Sequence, residues 1–356
     1  MNRARLSHVH MYVGDACQAA YYYRTAFGFR PIAESDPAVQ PHSVLLAQGR
    51  IRLLLTSATD AADPVARYVA AHGDGVADIA IEVPDVAEAY RTAVANGAEP
   101  VTAPATHAGP AGPVVNAAVR GFGDVVHTFV EAGAALPHPA LSPVAGASPV
   151  PADGELLGDI DHFAVCVPVG ELDKTVSRYQ QTFGFEEIFS EFIEVGRQAM
   201  SSKVVRDPAS GITLTVLEPD ATHDPGQIDT FLRSHGGAGV QHVAFGTADI
   251  REAVRRLGDQ GVEFLRTPDA YYELVEGRVG ELGAELDDLR ARNILADIDE
   301  WGLLLQIFTR SPYTRRTLFL ELVERRGART FGSGNIKGLY EAVEREQSRA
   351  GSADAA

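Results

Sequence analysis

Apolar and polar positions along this chain fall into two alternating rhythms. Stretches of β-branched and aromatic residues with a period of two give way to segments with helical spacing, and the sequence repeats itself. Leu6-Ser-His-Val-His-Met-Tyr-Val13 leads through a helix-like segment to Ala26-Phe-Gly-Phe29. Ile160-Asp-His-Phe-Ala-Val-Cys-Val167 leads likewise to Thr182-Phe-Gly-Phe185. A second pair aligns without a gap: Gly73-Asp-Gly-Val-Ala-Asp-Ile-Ala-Ile81 with Gly237-Ala-Gly-Val-Gln-His-Val-Ala-Phe245. This alignment continues through Asp85/Asp249, Glu88/Glu252, Gly97/Gly261 and Pro104/Pro268. Gly97 and Gly261 stand where a helix ends in a left-handed residue.

The pattern predicts four strand–helix–strands modules, beginning near residues 6, 75, 158 and 239, arranged as two halves of an α+β fold. Residues 134–155 are rich in Pro, Ala and Ser, lack periodicity and read as a linker between a first domain, 1–133, and a second, 156–347. Late in the second half come two apolar strands, Leu303–Phe308 and Leu318–Val323. A Gly-rich loop, Gly327–Gly334, leads to a helix expected from about Ile336 to Glu346, and residues 348–356 read as a disordered tail.

Composition narrows the partners. The 356 residues carry a net charge of -17, which disfavours nucleic acid and anionic membrane surfaces. No apolar run has the length of a membrane span, and the N-terminus has no secretory pattern, so a cytoplasmic protein is expected. The only cysteines are Cys17 and Cys166, too few for a disulfide framework or a thiolate-rich metal site. A homodimer is compatible with everything here.

Three side chains of the second half suggest chemistry. His162 and His242 sit in the first strands of successive modules, each followed at two-residue spacing by alanine, which leaves room beside the imidazole. Glu321 lies inside Leu-Phe-Leu-Glu-Leu-Val, where an unpaired carboxylate would cost several kcal/mol unless a cation relieved it. Two histidines and a carboxylate are the facial triad of non-haem Fe(II) oxygenases. Each residue also has a plain structural reading, as a satisfied core histidine or an edge-strand charge. In the first half His8 matches His162, but Asp78 stands where His242 does. That half is expected to pack rather than bind metal, with His8 and Asp78 a minor candidate for a second site.

The repeated modules with first-strand histidines resemble the vicinal oxygen chelate superfamily. The segments Ala238–Ala244, Phe264–Tyr272, Leu304–Thr309, Phe319–Arg325 and Phe331–Lys337 resemble 4-hydroxyphenylpyruvate dioxygenase and its close relative 4-hydroxymandelate synthase. The resemblance implies two domains of paired βαβββ modules, each an open curved barrel, with a terminal helix gating the second. It implies Fe(II) held by His162, His242 and Glu321, with 4-hydroxyphenylpyruvate and O2 as substrates. It assigns the substrate pocket to Ser202, Thr215, Gln227, Gln306, Phe308, Phe331, Asn335 and Ile336.

Two departures favour the synthase. Where dioxygenases read Pro-Ile-Asn-Glu-Pro this chain reads Thr215-Val-Leu-Glu-Pro219, and where they read Gly-Asn-Phe-Lys it reads Gly334-Asn-Ile-Lys337. Leu217 removes a polar group that could meet a substrate oxygen, and Ile336 removes a ring that could stack. The expected product is therefore 4-hydroxymandelate, with homogentisate the alternative. A glyoxalase-like isomerase, an extradiol dioxygenase and a metal-free binding protein share the module. The Gly-Asn-Ile-Lys segment and Gln306 argue against the first two, and Glu321 against the third.

Overall fold

The computed structural model describes residues 4–147, 154–280, 282, 284–332 and 334–338. The first half opens with β1 (Arg5–Tyr12), α1 (Ala16–Phe27), β2 (Arg30–Ser35), β3 (His42–Gln48) and β4 (Ile51–Ser57). Helix α2 (Pro64–His72) links these to β5 (Gly75–Val83), α3 (Val86–Ala95), β6 (Pro100–His107), β7 (Val114–Arg120) and β8 (Val126–Glu131). With β9 (Leu141–Pro143) they form a nine-stranded sheet ordered β6-β7-β8-β5-β1-β4-β3-β2-β9.

The second half repeats the plan with β10 (Asp159–Cys166), α4 (Leu172–Phe183), β11 (Glu186–Val195), β12 (Gln198–Arg206) and β13 (Thr213–Pro219). Helix α5 (Gln227–His235) leads to β14 (Gly239–Gly246), α6 (Ile250–Asp259), α7 (Asp269–Val279) and α8 (Ala284–Ala291). The last strands are β15 (Leu295–Ile298), β16 (Leu303–Phe308) and β17 (Phe319–Arg326), giving the order β11-β12-β13-β10-β14-β17-β16-β15. Both sheets are mixed and curl into half-barrels.

Local chemistry explains why the modules match. Asp85 and Asp249 cap α3 and α6, each accepting backbone N–H bonds from the first turn at nearly the same backbone angles. Gly28 and Gly184 end α1 and α4 in the left-handed conformation that the aromatic–Gly turn requires. On β10, Phe163 and Val165 face the helices, which leaves His162, Ala164 and Cys166 for the barrel interior. One contiguous core takes residues from both halves, among them Phe27, Phe129, Phe163 and Phe245. The halves also meet through polar contacts. Arg315 donates to the carbonyls of Ala70 and Ala71 at the end of α2, and the Tyr23 and Tyr313 hydroxyls pair at 3.0 Å.

Two expectations need correcting. The aperiodic stretch read as linker is partly sheet: β9 pairs with β2, and Leu141 is buried. Three residues are too few to show a period. Module four also departs from the strand–helix–strands plan. Phe264 makes only an isolated bridge to Thr309, and α7 and α8 follow where the other modules run a full strand. Ala270, Tyr271 and Val275 are buried by α7, and their spacing is helical. Of the last helix, expected from about Ile336, residues 336–338 are helical, and the helical stretch already includes residues 334 and 335. The remainder of that helix and the tail lie outside the described residues.

Candidate active site

His162, His242 and Glu321 come together inside the second barrel. One ligand atom from each lies within 4.8 Å of the other two, the only such group of three among the described residues. Glu321 Oε2 is 3.4 Å from His162 Nε2 and 3.1 Å from His242 Nε2. The strand pairing makes this so. β14 sits between β10 and β17, with Ala164 opposite His242 and Ala244 opposite Glu321. Alternation then points the three side chains to one face.

Neighbours fix the imidazoles. His162 Nδ1 and Asp161 Oδ1 are 2.8 Å apart, and Arg325 Nε and Nη2 donate to the Asp161 carboxylate at 2.6 and 2.8 Å. A carboxylate on the far nitrogen of a ligating histidine sets its tautomer and orientation. Phe331 stands edge-on to His162 at 5.2 Å with the Arg325 guanidinium over its ring at 5.0 Å. Phe319 stacks on His242 at 4.9 Å, and Phe308 meets it edge-on at 5.8 Å.

Burial and charge set the protonation states. Burial opposes a charge on His162, but the Glu321 carboxylate and the bond to Asp161 outweigh it and raise the imidazole to about 9. Burial likewise opposes ionisation of Glu321, and the two histidines overcome it, holding the carboxyl at about 2. Asp161 is lowered further, against burial, by Arg325 and His162. Burial lowers His242. Without a cation, then, the site is a carboxylate held by one imidazolium and one neutral imidazole.

The other pocket candidates divide. Ser202, Thr215, Gln306 and Asn335 are buried, while Phe308, Phe331 and Ile336 are half-buried. Thr215 Oγ1, Gln306 Oε1 and His242 Nδ1 are buried without a hydrogen-bond partner among the described residues. Asn335 Oδ1 accepts from the Tyr271 hydroxyl at 2.5 Å. Gln227 does not join them. It is exposed at the first turn of α5, whose inward stripe is Ile228, Phe231 and His235, one position out of phase.

Sequence reasoning overlooked Asp161, Arg325 and Phe319. Asp161 carried a signal, a carboxylate beside a candidate ligand in an otherwise apolar strand. Phe319 carried one as well, its two-residue spacing from Glu321, which puts both on one face, whereas Arg325 carried none, since its contact with Asp161 crosses strands. A cavity of about 1010 Å³ between the halves is a separate feature. It meets the triad's surroundings only through Asp161, Arg325 and Phe331, and none of the three triad residues lines it.

The first half carries other residues at the matching positions. The β5–β8 register keeps one offset from Asp78–Val126 to Ile81–Phe129, so Ala80, the counterpart of Ala244, faces Thr128 where the second half has Glu321. Ser7 takes the place of Asp161, its hydroxyl 3.1 Å from His8 Nδ1. Burial, then His138, pushes His8 down to about 3, and burial lifts Asp78 to about 6 against its bonds from Thr128. His8 and Asp78 form no charged pair.

The sequence pattern of the Glyoxalase/Bleomycin resistance protein/Dioxygenase superfamily matches residues 5–115 and 159–275. Curated 4-hydroxyphenylpyruvate dioxygenases from Yarrowia lipolytica and Aspergillus fumigatus are each 35% identical over 97% of this chain, covering 92% and 93% of their own lengths. The chain belongs to the 4-hydroxyphenylpyruvate dioxygenase family. It is an oxidoreductase of this dioxygenase family, and its paired half-barrels are the family's vicinal oxygen chelate fold. The solved structure of a triple-substituted 4-hydroxymandelate synthase from Streptomyces coelicolor superposes with a TM-score of 0.88 at 45% identity. That match covers 98% of this chain and 100% of the other.

Proposed function

We propose that this enzyme converts 4-hydroxyphenylpyruvate and O2 to 4-hydroxymandelate and CO2 at an Fe(II) ion held by His162, His242 and Glu321. The donor set fits the ion. Two imidazole nitrogens and a carboxylate oxygen converge in a buried site, the carboxylate's ion pairs among the described residues are with the two imidazoles, and three ligands leave positions open for substrate. Bound there, Fe(II) supplies the redox chemistry of oxidative decarboxylation and hydroxylation.

The residues around the ion would do the rest. Asp161, anchored by Arg325, holds His162 in one orientation, while Phe319 and Phe308 hold His242. Thr215 Oγ1 and Gln306 Oε1 offer buried polar atoms to the substrate. The carbon that is hydroxylated then depends on where the aromatic ring lies, and small displacements decide between neighbouring carbons.

The observation that carries the product assignment is the pair Leu217 and Ile336. Leu217 lies in one apolar cluster with Cys166, Met200, Ile228 and Phe231, so the β10–β13 side of that end of the barrel is apolar. Ile336, in the helical segment beside Asn335, offers no ring face for stacking. The 45% identity to the synthase structure supports the same reading. The test is product analysis. Fe(II)-loaded protein given 4-hydroxyphenylpyruvate and O2 should yield 4-hydroxymandelate by chromatography against both standards, and homogentisate as the main product would overturn the assignment.

A further inference from the structure

We propose that Glu191 recognises the ring hydroxyl of an arylpyruvate substrate, an inference that rests on the function proposed above. Three observations carry it. First, alternation along β11 turns Phe189, Glu191 and Ile193 into the barrel and Ser190, Phe192 and Glu194 outward: Ile193 is 3% exposed and Phe192 is 49% exposed. Second, the register places Glu191 in one row with Ser202 and Leu217, and Leu217 pairs onward with Cys166. That row is four residues along β10 from His162, roughly 13 Å at strand rise, and Glu191 stands three strands round the curl of the barrel from it, at the end of the interior away from the triad. Third, Glu191 Oε2 is buried without a hydrogen-bond partner among the described residues, while Oε1 accepts from Lys337 Nζ at 3.2 Å.

A buried carboxylate oxygen left without a donor, on a half-buried side chain in a barrel-facing row, asks for a donor from the ligand. The ring hydroxyl is the donor at the far end of 4-hydroxyphenylpyruvate. The row also shows why the task falls to this strand. Leu217 offers that row no polar atom, so its polar groups are Ser202 and, on the next strand, Glu191. Lys337 holds the carboxylate in place and ties the start of the last helix to the same spot.

The test compares 4-hydroxyphenylpyruvate with phenylpyruvate, which lacks only the hydroxyl. Dissociation constants are measured by calorimetry on Fe(II)-loaded protein without oxygen, followed by steady-state turnover with oxygen. Wild type should bind the hydroxylated compound about 10- to 100-fold more tightly, the range for a hydrogen bond to a charged group. Glu191→Ala should remove that preference while phenylpyruvate binding moves less than about threefold. Glu191→Gln, which keeps the volume and an acceptor, should retain part of it. Lys337→Met breaks the same ion pair but keeps the carboxylate, and should preserve the preference. Equal weakening of both ligands by Glu191→Ala, or an unchanged ratio, would overturn the proposal. Wild-type protein that turns over neither compound would overturn the proposed function itself and this inference with it.

Discussion

Asp161 touches no substrate, yet replacing it should weaken the metal. Its carboxylate faces three donors: His162 Nδ1 at 2.8 Å, and Arg325 Nε and Nη2 at 2.6 and 2.8 Å. Asp161→Asn keeps the shape but turns one acceptor into a donor, so at least one of these contacts becomes a clash of donors. Charge-assisted hydrogen bonds are worth about 1.5–3 kcal/mol each. Asp161 and Arg325 keep side-chain exposures of 16% and 22%, and Arg325 retains acceptors in the Ala328 and Thr330 carbonyls. The metal-free variant should therefore lose about 2–3 kcal/mol of stability, at the low end for a broken buried pair. His162 also loses the group that fixes its ring, and substitutions of this kind cost about 10- to 100-fold in metal affinity. Anaerobic Fe(II) titration of wild type and variant reads the second effect, and denaturant unfolding of the metal-free forms reads the first. Affinity within about threefold of wild type would refute the role assigned to Asp161.

Protonation gives the second prediction. With the folded His162 raised to about 9 against its usual 6.5, its charge stabilises the metal-free protein fully below pH 6.5, and this contribution disappears as pH rises through about 9. A metal must displace that proton, so apparent Fe(II) affinity should climb about tenfold per pH unit from 6.5 towards 9; a flat profile would contradict it. Ile336→Phe returns a ring to the helical segment and should divert part of the product towards homogentisate, measured by chromatography, whereas an unmoved product ratio would clear position 336 of any part in the choice. Deleting residue 335 onward removes Asn335 from Tyr271 and Lys337 from Glu191. Turnover coupled to CO2 release should collapse while Fe(II) binding persists, and full turnover by the truncated protein would show that this segment does not cover the site.

The triad could be read from sequence because its members are anomalies within local patterns. His242 breaks a gapless repeat, His162 heads a strand with small neighbours, and Glu321 interrupts an apolar run. What escaped notice depends on contacts between residues distant in sequence or on phase. Asp161 and Arg325 are 164 positions apart and meet only because β17 returns beside β14. Gln227 belongs to a helix whose inward stripe starts one residue later, and single-residue phase errors decide between pocket and solvent. β9 is held by pairing with β2 rather than by its own propensity. The helices of module four were hidden because the repeat itself led one to expect a strand.

The core shared by both halves bears on how the chain came to be lopsided. Two separate copies meeting across a symmetric interface must each carry every substitution, so a change that spoils metal binding spoils it twice. Joined in tandem over a common core, the copies stay together at the effective concentration set by the connection, and each can drift alone. Thr128 and Ser7 stand in one half where the other has Glu321 and Asp161. The first half packs on its partner through that core, and it should fold and unfold with that partner in one cooperative transition rather than as a detachable accessory.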